Sequence, residues 1–140
     1  MPKQKSNPPI AQAGVVPYRR ENGHYEFCLI TSAKKGRWIF PKGIIDPGET
    51  YVETALKEAY EEAGIRGEIV GEPIGSYEYA KWDTTLTVTM TMMQVEQSDD
   101  NWPEADVRQR HWATVAEARE LLSEDRLRDY LDIAVQKLDA

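Results

Sequence analysis

Cysteine is almost absent from this chain: Cys28 is the one thiol among 140 residues. A single cysteine excludes an intramolecular disulfide. Its setting in the apolar run "EFCLI" reads as a buried core thiol rather than a nucleophile. Histidine is nearly as scarce. His24 and His111 are far apart and share no metal-ligand spacing, so no zinc centre is expected. Long hydrophobic runs are missing too; none approaches the roughly 18 residues that span a bilayer, so no membrane partner is expected. The opening "MPKQKSNPPIAQAG" has basic residues but no apolar stretch, and does not read as a secretory signal. It reads as a polar tail, mobile over residues 1–10, followed by a single domain over residues 11–140. A cytoplasmic setting fits these features. Positive charge is the last shortage: 17 Lys and Arg face 24 Asp and Glu, a net charge of −7. That balance disfavours DNA as a partner.

What the chain does have is an alternation of strand-like and helix-like segments. Residues 13–20 and 25–33 are β-like, joined by the turn "ENGH". Residues 37–43 form a short strand entering a Pro/Gly turn, and "DPGE" is a further turn. Residues 50–63 read as a helix with an apolar stripe through Val52, Ala55, Leu56, Ala59 and Ala63. Thr50 with Glu53 predicts a capping box, and Gly64 fits the position just past the helix end. Residues 67–80 and 84–96 read as strands, the second with a buried face and a polar threonine face. A loop over 97–107, a last strand over 108–115 and helices over 115–122 and 124–138 complete the chain. The order implies an α/β fold, a mixed sheet covered by helices.

The excess negative charge is local. "GIIDPGETYVETALKEAYEEAGI", residues 43–65, holds six acidic side chains and one basic one. On a helix, Glu58, Glu61 and Glu62 stand at i, i+3 and i+4 and share one face, where like charges repel. A solvated face is the bland reading. Three features favour a cation site instead. A long Gly/Pro turn precedes the helix, the basic strand "KKGRWIFPKG" precedes that turn, and carboxylates are hard ligands suited to Mg²⁺ or Mn²⁺. Basic groups beside such a cation make a phosphate site.

At these residues the chain resembles the Nudix hydrolases. Their signature runs G, five residues, E, seven residues, then R-E-U-x-E-E-x-G-U, with U a bulky aliphatic. Gly43, Glu49, Glu58, Glu61, Glu62, Gly64 and Ile65 fall in register. Two positions depart: Lys57 stands for Arg, and Ala59 for the aliphatic. The resemblance implies a Nudix-type α/β/α sandwich with a central mixed sheet. It implies Glu58 and Glu62 as main metal ligands, with Glu61 and the Gly43 carbonyl contributing. It also implies Glu58, or a carboxylate on a distant loop such as Glu104 or Asp106, as the base. Glu49 is expected to pair with Lys57 and hold the helix. The implied reaction is metal-dependent attack of water on a pyrophosphate.

The stretch "W..PKG..DPGE" is similar to asymmetrical diadenosine tetraphosphate hydrolases, and the broader run to diphosphoinositol polyphosphate phosphohydrolases. A small-molecule polyphosphate is therefore the expected partner of a monomer or homodimer. Arg37, Lys42, Lys35, Arg108 and Arg110, with Arg19, Arg20 and Lys34, are candidates to hold its phosphates. Tyr77, Tyr79, Trp82 and Trp102 are candidate base-stacking groups. Sugar nucleotides, nucleoside triphosphates and capped RNA are alternative substrates. A non-catalytic nucleotide-binding regulator and an acidic interface helix are the alternative classes.

Overall fold

β1 (Ile10–Glu21) carries apolar side chains on both of its faces, and that sets the architecture. The computed structural model describes residues 7–139. In it β1 pairs antiparallel with β2 (His24–Thr31) and parallel with β6 (Thr84–Ser98), so the central sheet is mixed. β2 pairs on its far side with β3 (Trp38–Ile39), and β6 pairs antiparallel with β5 (Ile65–Lys81). The short β4 (Lys42–Ile44) adds to β1, and β7 (Arg110–Ala113) adds to β2.

Two cores follow from the period-two alternation of the strands. Ala13, Val15, Cys28, Ile30 and Met93 pack against Ala55, Ala59 and Ala63 of α1 (Tyr51–Ala63). Val16, Phe27, Leu29, Val88, Met90 and Met92 face the opposite way. There they meet Ala118 of α2 (Val115–Leu121) and Leu127, Leu131 and Ala134 of α3 (Asp125–Asp139). Sheet and helices thus form the expected α/β sandwich. Small alanines on α1 let that helix lie close to the sheet, and this proximity decides where its glutamates reach.

The element boundaries differ from the sequence reading where backbone chemistry intervenes. The basic segment is two strands rather than one. Pro41 has no N–H to give, and its carbonyl instead accepts from Val15, passing the chain from β2's edge to β1's. The predicted tail boundary at residue 10 falls inside hydrogen-bonded structure. Asn7 donates its backbone N–H to the Asp83 carbonyl, Thr84 donates its hydroxyl to the Pro8 carbonyl, and β1 begins at Ile10. Residues 1–6 of that expected tail lie outside the described residues. The threonine face of β6 is not simply polar and wet either. Thr91 is fully buried, and its hydroxyl is satisfied by the Gly14 carbonyl at 3.0 Å.

Candidate active site

α1 is fastened at both ends, which fixes the direction of every glutamate on it. Thr50 Oγ1 accepts from Glu53 N–H while Glu53 Oε1 accepts from Thr50 N–H, the reciprocal box predicted from sequence. At the far end Gly64 takes φ 68°, a left-handed cap that suits a residue without Cβ. Trp102 closes this end by donating its indole N–H to the Glu62 carbonyl at 2.9 Å. Arg110 donates to the Ala63 and Asp99 carbonyls at 2.8 and 2.7 Å and stacks on the Trp102 ring.

Glu58 and Glu62 stand one turn apart on the face turned to β4. Glu58 lies directly over Gly43: a Cβ built there would sit 2.2 Å from the Glu58 carboxyl carbon. Glu62 is 7% exposed. Its Oε1 accepts from Lys42 N–H at 3.1 Å, and its Oε2 lies 3.4 Å from the Arg108 guanidinium. Arg108 also donates to Glu104 at 2.7 Å and to the Thr31 carbonyl at 3.0 Å. Glu104 N–H in turn donates to the Glu61 carbonyl at 3.0 Å, which draws the loop before β7 onto the end of α1.

Crowded, half-dry carboxylates resist ionisation. Burial, followed by the charge of Glu61, raises Glu58 to about 7. Burial raises Glu62 to about 8, although Arg108 and the Lys42 N–H pull the other way. Glu49 behaves oppositely. Lys57 donates to its two oxygens at 2.8 and 3.1 Å, Thr54 Oγ1 donates at 2.9 Å, and Asp46 N–H donates at 3.2 Å, so its pKa is lowered. Lys57 reaches Asp46 as well, at 3.1 Å, and its own pKa is raised by these partners. The Glu49–Lys57 pair therefore ties the turn to the middle of α1.

The chemistry of the donor set fits a hard divalent cation. Glu58 and Glu62 are oxygen donors that repel each other and gain from a shared positive charge, and Gly43 is bare of the side chain that would block the approach. Among the described residues no three acidic, histidine or cysteine side chains converge as a finished cage. Arg108 occupies part of the role, neutralising Glu62 from the other side.

Beside this cluster opens a cleft of about 330 Å³ lined by Lys35, Arg37, Lys42, Tyr77, Tyr79, Lys81 and Arg126 among others. Lys42 joins the two features: its backbone touches Glu62 and its side chain lines the cleft. A larger recess of about 560 Å³ lies near Arg19, Arg20 and Tyr25, away from the α1 glutamates. The cleft carries the greater weight here because it adjoins the perturbed carboxylates.

The structure thus brings Lys35, Arg37 and Lys42 together and sends other candidates elsewhere. Arg110 is spent on backbone carbonyls at the end of α1 and does not line the cleft. Arg108 serves the carboxylates, 11% exposed. Trp102 is a helix clamp, Arg19 stacks on Trp112, and Arg20 stacks on Tyr25. Lys81 and Arg126 were not picked out from sequence. Lys81 sits at a hairpin end, and Arg126 lies in the amphipathic run of α3, where an arginine reads as solvated surface.

Comparison with known proteins gives a consistent picture. The NUDIX domain family model matches residues 8–132. Nudix hydrolase 21, chloroplastic, of Arabidopsis thaliana is 35% identical over 130 residues, covering 89% of this chain and 65% of its own length. The chain thus spans slightly less than two thirds of that relative. An asymmetrical bis(5'-nucleosyl)-tetraphosphatase of Caenorhabditis elegans is 42% identical over 60 residues, covering 42% of this chain and 44% of its own. In fold, the crystal structure of a C. elegans Ap4A hydrolase binary complex superposes with a TM-score of 0.82. It has 24% identity and covers 93% of this chain and 98% of that one.

Proposed function

The chain belongs to the NUDIX domain family, and from that premise we propose that it is a divalent-metal-dependent hydrolase of pyrophosphate bonds in polyphosphorylated substrates. Dinucleoside polyphosphates are the first substrate class and diphosphoinositol polyphosphates the second. The observation that carries this reading is the placing of Glu58 over bare Gly43, with Glu62 one turn on, joined through Lys42 to a cleft rich in cations.

The roles follow from the chemistry of each group. Glu58 and Glu62, with Glu61 and the Gly43 carbonyl, supply hard oxygen ligands for Mg²⁺ or Mn²⁺. Such a cation, when bound, neutralises phosphoryl oxygens and lowers the pKa of water. Glu58 is also the base. Its carboxylate lies over Gly43, beside the place a bound cation would take, and can accept a proton from water there. Lys35, Arg37 and Lys42 hold anionic oxygens of the phosphate chain. Arg108 favours the charged form of Glu62 against the effect of burial and holds it in place rather than meeting substrate. The Glu49–Lys57 pair fixes the turn that follows β4, the strand of Gly43, against the helix that carries Glu58.

The dinucleoside reading gains support from the name of the C. elegans tetraphosphatase that the chain resembles over 60 residues. No helix is long and apolar enough to cross a membrane among the described residues. A cytoplasmic setting and a monomeric or homodimeric state are parts of the proposal. A panel of dinucleoside polyphosphates, sugar nucleotides, nucleoside triphosphates and diphosphoinositol phosphates, each with Mg²⁺ or with EDTA, tests it through product identity. Metal-dependent release from the polyphosphates is expected. Preference for ADP-ribose or a nucleoside triphosphate would overturn the substrate assignment.

A further inference from the structure

Tyr79 stands between two cations. Lys42 Nζ lies 5.2 Å from its ring centroid and the Arg126 guanidinium 5.6 Å. Its hydroxyl donates to Gln12 Oε1 at 2.7 Å, which fixes the ring from β1. Arg126 also stacks on Tyr77, 4.6 Å from that centroid, and Tyr77 and Tyr79 rest tilted against each other. The two tyrosines therefore act as a shelf for cations, and Arg126 covers the surface that a nucleobase would need. Lys35, Arg37 and Lys81 line the same cleft, and among the described residues Glu124 is the one acidic side chain lining it. In a chain of net charge −7, five cations gathered against one carboxylate repel each other unless an anion joins them.

Arg126 comes from α3, on the side of the cleft away from the helix that bears the glutamates. Its Nη1 donates to the Glu78 carbonyl at 3.0 Å, while Nε and Nη2 meet Glu124 at 3.3 and 3.2 Å. Both partners of this ion pair are more than a third exposed, and such pairs are weak enough for a polyanion to displace the carboxylate. The planar fork released from Glu124 matches a phosphate bidentately.

We infer that Arg126 is a specificity-determining residue that grips the phosphate chain beyond the groups held by Lys42 and Arg37. In this scheme Tyr79 is its positioning residue and Glu124 its competitor. The inference deepens the proposed function and rests on the same cleft. Arg126 selects for chain length, because two-phosphate substrates end before they reach it.

The test measures two things on the wild type, Arg126→Gln, Arg126→Lys and Glu124→Gln: calorimetric affinity for inorganic tripolyphosphate, and the ratio of kcat/KM for diadenosine tetraphosphate to that for ADP-ribose. Arg126→Gln is expected to lower both by about tenfold or more, the usual worth of a charged hydrogen bond. Arg126→Lys, which keeps the charge and preserves folding should the glutamine variant fail, is expected to fall between. Glu124→Gln is expected to tighten tripolyphosphate binding. A purely structural tether from α3 to β5 predicts a lower Tm with both ratio and affinity unchanged. That outcome, or a wild type that does not bind tripolyphosphate, overturns the inference. A wild type that binds tripolyphosphate through Arg126 yet turns over no substrate overturns the proposed function and leaves the inference standing.

Discussion

Glu58 occupies the space in which a side chain at Gly43 would begin, with its carboxyl oxygen 2.2 Å from the position of the missing Cβ. The two residues are 15 positions apart in sequence and on different elements, yet each limits what the other can be. Glycine is required because a glutamate lies on it. The glutamate is half-dry because backbone, rather than water, lies beneath it.

Gly43→Ala should therefore displace Glu58 while leaving the core untouched. The expected result is a loss of about 10²-fold in kcat, the scale of a 1 Å misplacement of a catalytic group. Tm should stay within about 5 °C, since a flexible side-chain end can swing aside. Circular dichroism melts alongside steady-state kinetics check both halves.

Glu58→Gln and Glu62→Gln should separate two roles. Glu58→Gln should cost roughly 10²–10⁴-fold in kcat, the range for a lost general base. Retention of more than about a tenth of activity would move that role to Glu104, which packs against the same end of α1. Glu62→Gln should weaken Mg²⁺ binding in calorimetry. Glutamine resembles the protonated acid, so the metal-free variant should match the wild type below about pH 4.5 and exceed it in stability by a growing margin as pH rises through 8.

The pH dependence has a definite sign. Glu58 and Glu62 titrate at about 7 and 8 in the folded chain, above the ordinary value of 4.5. The native state therefore holds protons that the unfolded chain has already released. The resulting stability is complete below about pH 4.5 and is lost as pH rises through 7 and 8. Metal-free protein should melt at lower temperature at pH 8.5 than at pH 6. Saturating Mg²⁺ should reverse the trend, because a cation binds the ionised carboxylates and its stabilisation grows as they deprotonate. Melting curves at several pH values, with and without Mg²⁺, measure it.

Lys57→Met should lower kcat more than Tm, because Lys57 bridges Glu49 and Asp46 at a partly exposed site rather than packing in a core. Lys57→Arg should keep the bridge and retain activity, since arginine offers carboxylates a wider set of donors. Equal activity in the methionine variant and the wild type would remove the bridge from the account.

Much of this was legible in the sequence because it is local. The Thr50–Glu53 box, the Gly64 cap and the shared face of Glu58 and Glu62 lie within fifteen residues and follow from helical spacing. The mixed sheet followed from strands placed on both sides of that helix. The less legible parts depend on contacts across the fold. Spacing cannot show that Arg110 would be spent on the Ala63 and Asp99 carbonyls, nor that Trp102 would close α1. Arg126 escapes a reading of the sequence because only the packing of α3 beside β5 brings it over Tyr77 and Tyr79. Likewise the split of the basic segment at Pro41 depends on Val15 taking the Pro41 carbonyl.

The most direct measurement is turnover of diadenosine tetraphosphate by the wild type and Glu62→Gln, side by side, across a Mg²⁺ titration with identification of the nucleotide products. The account predicts hydrolysis by the wild type that vanishes with EDTA. It predicts a variant at least about 10²-fold slower at low Mg²⁺, with a rightward-shifted metal requirement. Metal-independent hydrolysis, or a variant with wild-type rate and wild-type Mg²⁺ dependence, would contradict it.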